Sequence, residues 1–508
     1  MRAVAFIALC VTLAGCNVGP KYTRPAAPAP PAYKESAPAE YTSAQPGVWQ
    51  PAQPSEASLK GKWWEVFKEP ELNALEEQLN IDNQNIAQDF QNFMAARAQV
   101  REARAGLFPT LTTQPSFNRA RTSAGAQNAA AGNAAGGAAA SSGGNYTFSD
   151  FALPFDASWE PDLWGRVRNT VSGAQYAAQV SAADLENERL TEQADLAVYY
   201  FELRGQDALQ DLYNRTIEAD RKALELTKAL VETGIDSQED EAQADVTLQN
   251  AEAQGAGIAM NRAIYEHAIA TLTGKAASTF EMPVKLLATP VPPIPVGVPS
   301  QLLERRPDIA SAERTMAEAN ALIGVEKAAY YPSLTLTGSG GLESSAIRTL
   351  FSVPALVWSM GASASELIFD AGLRKATVAQ YTATYNADVA AYRQTVLTAF
   401  QQVEDYIASL RVLSGQIAKQ NAAVEAAQRY LDIALSRYQT GLDPYLDVIT
   451  AQTTLLGDQQ AVVTLRVSEM TAAVQLIQAL GGGWDVSQMP AAAEVTSGGT
   501  AKNAAPGR

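Results

Sequence analysis

The chain contains one long segment twice. Residues 86–111, IAQDFQNFMAARAQVREARAGLFPTL, align without a gap with residues 309–334, IASAERTMAEANALIGVEKAAYYPSL, at an offset of 223. Further on, residues 233–236 match residues 440–443 at an offset of 207, so the first copy carries an insertion, for which the Ala/Gly/Ser run 124–144 is the source. Because internal repeats dictate architecture, the sequence predicts one structural unit built twice.

Each copy is predicted to contain a helix, two strands and a long helical hairpin. The strands follow Phe108-Pro109 and Tyr331-Pro332, where proline ends the preceding helix. We expect strands at about 109–119 and 146–160 in the first copy, and at about 332–342 and 353–368 in the second. Within 356–365, apolar and polar residues alternate. This pattern fits a membrane strand with a polar face toward a lumen, but a soluble half-buried strand shows it too.

The number of strands limits how they could cross a membrane. Four strands cannot close a barrel, and open sheet edges are not tolerated in lipid. About eight strands make the smallest membrane barrel. If these strands span a bilayer, several chains must therefore share one barrel.

The helical hairpins are expected at about 165–274 and 373–480. Proline is absent between Pro161 and Pro283 and between Pro354 and Pro444. A helix from 374 to 440 would be about 100 Å long. Apolar residues at spacings of three and four form a coiled-coil seam: Val396, Phe400, Val403, Ile407, Leu410, Leu413 and Ile417. Gly234 and Gly441 are predicted to end the long helices.

The N-terminus has the pattern of a bacterial lipoprotein signal. Arg2 and the apolar residues 4–13 precede Leu13-Ala14-Gly15-Cys16, which resembles a lipobox. We expect residues 1–15 to be removed and Cys16 to carry lipid, and Asn17 resembles the outer-membrane sorting pattern. Residues 16–60 are predicted to form an extended tether, 61–283 and 284–484 the two repeats, and 485–508 a disordered tail.

Composition excludes several classes of function. A formal charge of -16 argues against a nucleic-acid partner. Both cysteines lie within the first sixteen residues, and His267 is the only histidine. Disulfides, Cys/His metal sites and His-based catalytic dyads are therefore not expected in the folded body, and neither is a cofactor. The sequence predicts a protein that is not an enzyme.

Three motifs together resemble one protein family. Residues 302–309, LLERRPDI, continue through Asn320 and Gly324 to residues 331–334, YPSL. Trp63-Trp64 resembles the opening helix of the same family, and residues 437–452, RYQTGLDPYLDVITAQ, its helical tip. The chain resembles the outer-membrane efflux factors of the TolC family, and within it the NodT/OprM-type lipoprotein branch. The resemblance covers about residues 17–484.

The resemblance implies an α+β fold and a defined assembly. Each chain would contribute a duplicated helix–strand–strand–long helical hairpin unit to a homotrimer. The trimer would form a twelve-stranded transmembrane β-barrel continuous with a twelve-helix periplasmic α-barrel, in the outer membrane of a Gram-negative bacterium. Its partners would be a periplasmic adaptor protein, an inner-membrane pump of the resistance-nodulation-division type and outer-membrane lipid, and no nucleic acid.

The family motif also implies positions for a gate and for adaptor docking. Asp447 falls on an acidic gate position, Leu446 would supply the hydrophobic part of the constriction, and Thr450 occupies a position that is acidic in many relatives. The departure at Thr450 weakens the expectation of a double acidic ring. The expected docking tips are Gly234, Ile235, Asp236, Gly441, Leu442 and Asp443.

Function is predicted as an exit duct that passes drugs or other small toxic compounds out of the cell. Two other roles for the same duct remain open, namely type I protein secretion and metal-ion efflux. A further alternative from another class is a non-spanning coiled-coil lipoprotein. The sequence does not identify the transported substrates or the particular pump and adaptor.

Overall fold

The structure is a computed structural model that describes residues 17–27, 29–35, 61–122, 146–234, 237–286, 290–294 and 299–496. Its helices are α1 Pro70–Asp82, α2 Gln84–Ala105, α3 Arg166–Glu232, α4 Gln238–Leu272, α5 Leu302–Arg305, α6 Pro307–Ala328, α7 Leu373–Gln439, α8 Tyr445–Ala479 and α9 Ala492–Thr496. Its strands are β1 Thr110–Thr113, β2 Ser116–Thr122, β3 Tyr146–Trp159, β4 Ser333–Ser344 and β5 Leu356–Ser365. Short 3-10 turns, such as Trp63–Phe67, connect some of them.

Three pairs of corresponding helices in the two repeats have identical lengths. The helix before the strands has 22 residues in each copy, α2 and α6. The long helices α3 and α7 have 67 residues each, and the returning helices α4 and α8 have 35 each. A 67-residue helix is about 100 Å long. Among the described helices, none combines the length and the apolar character needed to cross a bilayer.

The strands form one antiparallel sheet in the order β1-β3-β4-β5, with β2 also paired to β3. The single strand predicted at 109–119 is wrong in this respect, because the structure divides it into β1 and β2. The break contains Pro115, which has no N–H to donate to the ladder. The two repeats meet between β3 and β4, where Phe155 is opposite Gly340.

Cross-strand register sorts the side chains of the sheet by polarity. Directly opposed residues share a face, and Leu153, Leu342 and Leu356 are aligned in this way across three strands. The apolar face collects Leu111, Phe151, Leu153, Phe155, Ala157, Trp159, Leu336, Leu342, Leu356, Trp358 and Met360. The other face carries Thr110, Thr112, Asp156, Ser158, Thr335, Thr337, Ser339, Ser359 and Ser363.

The described part of the chain divides into two compact units, and the sheet lies in the first, formed by residues 17–23, 98–122, 146–176 and 317–386. The core of the second unit is built around the middle of α3, at residues 193–203. There the rings of Phe67 and Phe201 lie 5.1 Å apart, and the Trp63 indole N–H donates to Gln193 at 3.1 Å. Leu196, Tyr200 and Leu203 are fully buried at spacings of four and three. They form the apolar stripe of α3.

A buried charge network holds the segment after α4 in place. Asp207 accepts from Arg204 at 2.8 Å and from Arg262 at 2.7 Å. The two guanidinium groups also bind the carbonyls of Pro283 and Met282, each at 2.7 Å. The Asp207 side chain is fully buried, and its charge is tolerated because both arginines pair with it and the Lys285 N–H donates to it at 3.1 Å.

The family-like segment 302–309 has a structural role centred on Arg306. Its guanidinium binds Asp308 at 2.7 Å, Gln402 of α7 at 2.9 Å and the Ala479 carbonyl, at the end of α8, at 3.0 Å. The chain at Gly481 packs directly against this segment, because a Cβ on Gly481 would lie 2.1 Å from the Arg305 carbonyl oxygen. The motif therefore ties the base of the second hairpin together.

The residues near the C-terminus differ from the prediction made for them. The disordered tail predicted from residue 485 is wrong for 485–496, which form a 3-10 turn and α9, with Val495 almost fully buried. Two side chains bind this segment: Gln179 donates to the Pro490 carbonyl and Arg97 to the Glu494 carbonyl. Residues 497–508 lie outside the described part. In the second unit, residues 24–27 and 29–35 have no helix or strand, and Arg24 binds Tyr392.

Candidate gate and docking tips

The tip of the second hairpin is a glycine-terminated helix end. Gly441 has φ +72°, its N–H binds the Tyr438 carbonyl, and the Leu442 N–H binds the Arg437 carbonyl at 2.9 Å. This pair of bonds is the Schellman motif, which needs a left-handed residue at the position of Gly441. Pro444 then precedes the first residue of α8, where its missing N–H is no loss. Sequence reasoning predicted this turn from Gly441.

The tip of the first hairpin combines a glycine at the end of α3 with a capping box at the start of α4. Gly234 ends α3 with φ +76°. After it, the Ser237 hydroxyl accepts from the Asp240 N–H, and the Asp240 carboxylate accepts from the Ser237 N–H, which forms a capping box at the start of α4. Acidic residues in this first turn, Glu239, Asp240 and Glu241, complement the helix dipole.

The four tip helices share one apolar cluster. It consists of Leu224, Ala244, Leu248, Ala434, Tyr445, Val448 and Ala451, all buried. These residues come from α3, α4, α7 and α8. The cluster therefore packs the tips of both hairpins against each other within one chain.

The predicted gate residues lie on α8 away from this cluster. Leu446 is 52% exposed, and Thr450 is exposed one turn further along the helix. The Thr450 hydroxyl donates to the Leu446 carbonyl at 2.8 Å. Asp447 is half-buried between them. Residues at i and i+4 share a helix face, so Leu446 and Thr450 present one face to solvent while Val448 and Ala451 face the cluster.

Arg437 organises the charges of the second tip, and sequence reasoning did not single it out as a site residue. Its guanidinium makes two hydrogen bonds to Asp443, at 2.5 and 2.8 Å. The hydrogen bond from Arg437 lowers the pKa of Asp443, while Asp443 and, more weakly, Asp447 raise the pKa of Arg437. In the sequence, this pair could have been inferred from the opposite charges of Arg437 and Asp443, six residues apart across the turn at Gly441.

The two hairpins also share buried polar contacts that the sequence did not predict. Asp220 of α3 is 3% exposed and accepts a hydrogen bond from Gln452 of α8. Burial raises the pKa of Asp220 to about 6, although the bond from Gln452 opposes this. Further along the same helices, Gln460 donates to the Tyr213 hydroxyl. No local pattern marks these pairs, because their partners are more than 200 residues apart.

The remaining predicted site residues are placed as follows. Leu442 is 71% exposed, and a Cβ at Gly234 or Gly441 would have nothing within 4 Å. Ile235, Asp236 and the proposed lipid attachment site Cys16 lie outside the described residues. Within the described part of the chain, no three His, Cys, Asp or Glu side chains are grouped so as to hold a metal ion.

Comparison with known proteins identifies similar chains. The outer membrane efflux protein family matches residues 75–275 and 298–482. SrpC of Pseudomonas putida, a solvent efflux pump outer membrane protein, is 31% identical over 481 residues, which is 94% of this chain and 97% of SrpC. ArpC of the same species, an antibiotic efflux pump outer membrane protein, is 30% identical over 491 residues, which is 94% of this chain and 96% of ArpC.

The fold is also found among solved structures. The outer-membrane channel OprN superposes with a TM-score of 0.81 and 26% sequence identity, covering 92% of this chain and 100% of that one. The resemblance and the fold class predicted from the sequence are thereby confirmed. The alternative of a non-spanning coiled-coil lipoprotein is set aside by the same matches.

Proposed function

The chain belongs to the outer membrane efflux protein family and is thus the outer-membrane channel of an efflux pump, and we propose that it works as a homotrimer. The observation that carries this proposal is the sheet with one apolar and one polar face. Trp358 and Met360 on the apolar face are 74% and 85% exposed. Exposed apolar side chains of this size need an apolar surrounding, which lipid supplies.

The sheet edges support the trimer. Among the described strands, β5 pairs only with β4, and β1 and β2 pair only with β3, so both edges of the sheet are open. Open edges are not stable in lipid. In the proposed trimer, β5 of one copy pairs with the β1–β2 edge of the next, which closes a barrel of twelve strands when β1 and β2 count as one.

The helical hairpins would then continue as a periplasmic duct with its gate at the tips. We assign Leu446, Asp447 and Thr450 to the constriction, because they lie on the solvent face of α8 at the tip. Three copies of Asp447 around one axis would favour cations. The tips at Gly234–Ile235–Asp236 and Gly441–Leu442–Asp443 would bind the periplasmic adaptor.

The transported compounds are proposed to be small organic toxins. The relatives described above are named for solvent and antibiotic efflux. An adaptor and an inner-membrane pump of the resistance-nodulation-division type would supply the substrate and the energy. The chain itself would contribute a passage and carry no catalytic site, with Cys16 anchoring it to outer-membrane lipid.

The proposal is tested by crosslinking in cells from a single cysteine at Leu442, whose side chain is exposed and which takes part in the tip hydrogen bonds only through its backbone N–H. A matched cysteine at Met260, which is 62% exposed on α4, is the control away from the tips. Capture of an adaptor from position 442 and not from 260 supports the proposal. Capture of components of an ATP-driven transporter would instead indicate protein secretion, and capture of a metal-export system would indicate metal-ion efflux.

A further inference from the structure

The second unit contains a small cavity between three helices and the segment at Arg306. Its volume is about 190 Å³. The lining comes from α3 of the first hairpin, from α7 and α8 of the second, and from residues 306–308. Because one water molecule takes up about 30 Å³ of the liquid, the cavity has room for roughly six waters or for one sugar ring. Drug-sized ligands occupy pockets of about 300 Å³ or more and are too large for it.

Most of the lining side chains are polar and neutral. They carry amide or hydroxyl groups and come from all three helices: Asn187, Thr191, Gln402, Tyr406, Gln475 and Gln478. Within the described part of the chain, five of these side chains make no hydrogen bond, and the sixth, that of Gln402, accepts one from Arg306. Their remaining donors and acceptors are therefore available to a molecule in the cavity.

Thr191 differs from the other threonines of its helix. Thr170, Thr216 and Thr227, also on α3, each donate to the carbonyl four residues earlier. Thr191 makes no such bond, although it lies well inside α3. A bond to the preceding turn is the usual partner of a helical threonine hydroxyl. The Thr191 hydroxyl is consequently left for a partner outside the helix.

The charges in the cavity lining balance each other. Arg306 and Asp308 are the charged residues of the described lining, and they form a two-bond ion pair at 3.0 and 2.7 Å. The guanidinium also donates to Gln402 and to the Ala479 carbonyl, so four of its five N–H groups are used within the chain. An anion would find no unpaired cation here, and the lining therefore favours a neutral molecule.

Side-by-side donors and acceptors suit a molecule with several hydroxyl groups. An amide presents an NH2 donor next to a carbonyl acceptor, and each hydroxyl of a sugar both donates and accepts, so the two groups match. Leu190 and Tyr406 also line the cavity. Apolar and aromatic side chains of this kind pack against the C–H groups of a sugar ring, while the Tyr406 hydroxyl adds a polar end.

We propose that this cavity is a binding site for a neutral, polyhydroxylated molecule with one ring in the site, either a free sugar or the terminal sugar of a glycan. The bound molecule joins α3 of the first hairpin to α7 and α8 of the second. Every lining residue belongs to one chain, so the test of this site does not depend on the proposed trimer or on the transported compounds.

The test is a saturation-transfer-difference NMR titration of the purified full-length protein with methyl α-D-glucopyranoside, in a detergent whose head group is not a sugar. Thr191→Val removes the hydroxyl and keeps the shape of the side chain, and Gln478→Ala removes an amide of α8. Thr464→Val on α8 and Gln249→Ala on α4 are the controls, because both residues are exposed and lie outside the cavity. Binding should saturate, and loss of one hydrogen bond should weaken it about fivefold in each cavity variant and not in the controls.

Two further probes identify the ligand chemistry. D-glucuronate carries a negative charge and should bind about tenfold more weakly than the glucoside, because no unpaired cation faces it. Maltotriose separates the two sources of the sugar: binding as tight as that of the glucoside indicates the end of a glycan, and weaker binding indicates a free sugar.

Two results would overturn the inference. Without saturable binding to the unaltered protein, the cavity holds water only. If the cavity variants bind the glucoside as well as the control variants do, the sugar binds elsewhere. Neither result bears on the channel function, which is judged by the crosslinking experiment.

Discussion

Asp220 and Gln452 join the two helical hairpins at a buried position, with the carboxylate on α3 accepting a hydrogen bond from the amide on α8. Asp220 is 3% exposed, and burial raises its pKa to about 6 against the opposing effect of the Gln452 hydrogen bond. Tyr445 of α8 lies close enough that the Asp220 charge contributes to the raised pKa of its hydroxyl. The contact therefore places a titratable group inside the packing of the proposed gate.

This contact predicts that hairpin packing depends on pH. A carboxyl whose pKa is raised from 3.8 to about 6 binds its proton more tightly when packed. The free energy that packing contributes is therefore largest below about pH 4. It falls by at most about 3 kcal/mol per chain as the pH rises toward 6, and it is constant above that pH. Asp220→Asn should remove this dependence and be the more stable protein at pH 7.5. Thermal unfolding at pH 4.5 and 7.5 measures it, with Glu225→Gln as an exposed control on α3. An unchanged pH dependence in Asp220→Asn would contradict the assignment.

Asp447 is predicted to set the charge preference of the mouth. Asp447→Asn removes three like charges from the proposed trimer and should lower the cation-over-anion permeability ratio by roughly two- to threefold. Reversal potentials in planar bilayers under a salt gradient measure this ratio. Glu218→Gln, an exposed change on α3 with the same effect on net charge, should leave the ratio unaltered. If both variants behave alike, Asp447 does not line the constriction.

Gly441 is predicted to stabilise the second tip through its backbone conformation alone. A Cβ there meets nothing within 4 Å, but φ is +72°. Gly441→Ala should therefore cost about 1 kcal/mol per chain. Gly415→Ala is the opposite case, because Gly415 lies inside α7 with open space around it. That change should stabilise the protein by about 0.5–1 kcal/mol. Denaturant titrations of the two variants should move in opposite directions, and a common direction would argue against the backbone explanation.

Gly341 is predicted to be essential for the pairing of β3 with β4. A Cβ at this position would lie 2.4 Å from the Leu153 carbonyl oxygen and 2.7 Å from the Pro154 Cα. Because both are backbone atoms, Gly341→Ala should cost about 1–3 kcal/mol and reduce the yield of heat-modifiable oligomer on gels. A Cβ added at the adjacent Gly340 would have nothing within 4 Å, so Gly340→Ala serves as the control. Normal oligomer from Gly341→Ala would mean that the strands shift at little cost.

Much of the fold could be predicted from local patterns in the sequence. Helix starts in the two repeats, such as Gln84 and Pro307 or Arg166 and Leu373, differ by the same 223 and 207 residues as the sequence repeat. Glycine and proline end helices and strands through their own backbone conformation, which depends only on neighbouring residues. The roles of Gly234, Gly441 and Pro444 could therefore be predicted from the sequence. The tail is different: it forms α9 because Gln179 and Arg97, distant in sequence, bind it.

The sequence by itself determined the duplication, the long hairpins and their glycine tips, the two-faced strands and the family. Only the tertiary structure decided the pairings between distant residues: Phe155 with Gly340 across the repeats, Asp220 with Gln452 between the hairpins, and Arg306 with Gln402 beside the cavity. Periodicity and turn chemistry act over a few residues and are visible in a chain. A buried hydrogen bond between side chains 96 or 232 residues apart depends on how whole helices pack, and no local pattern records it.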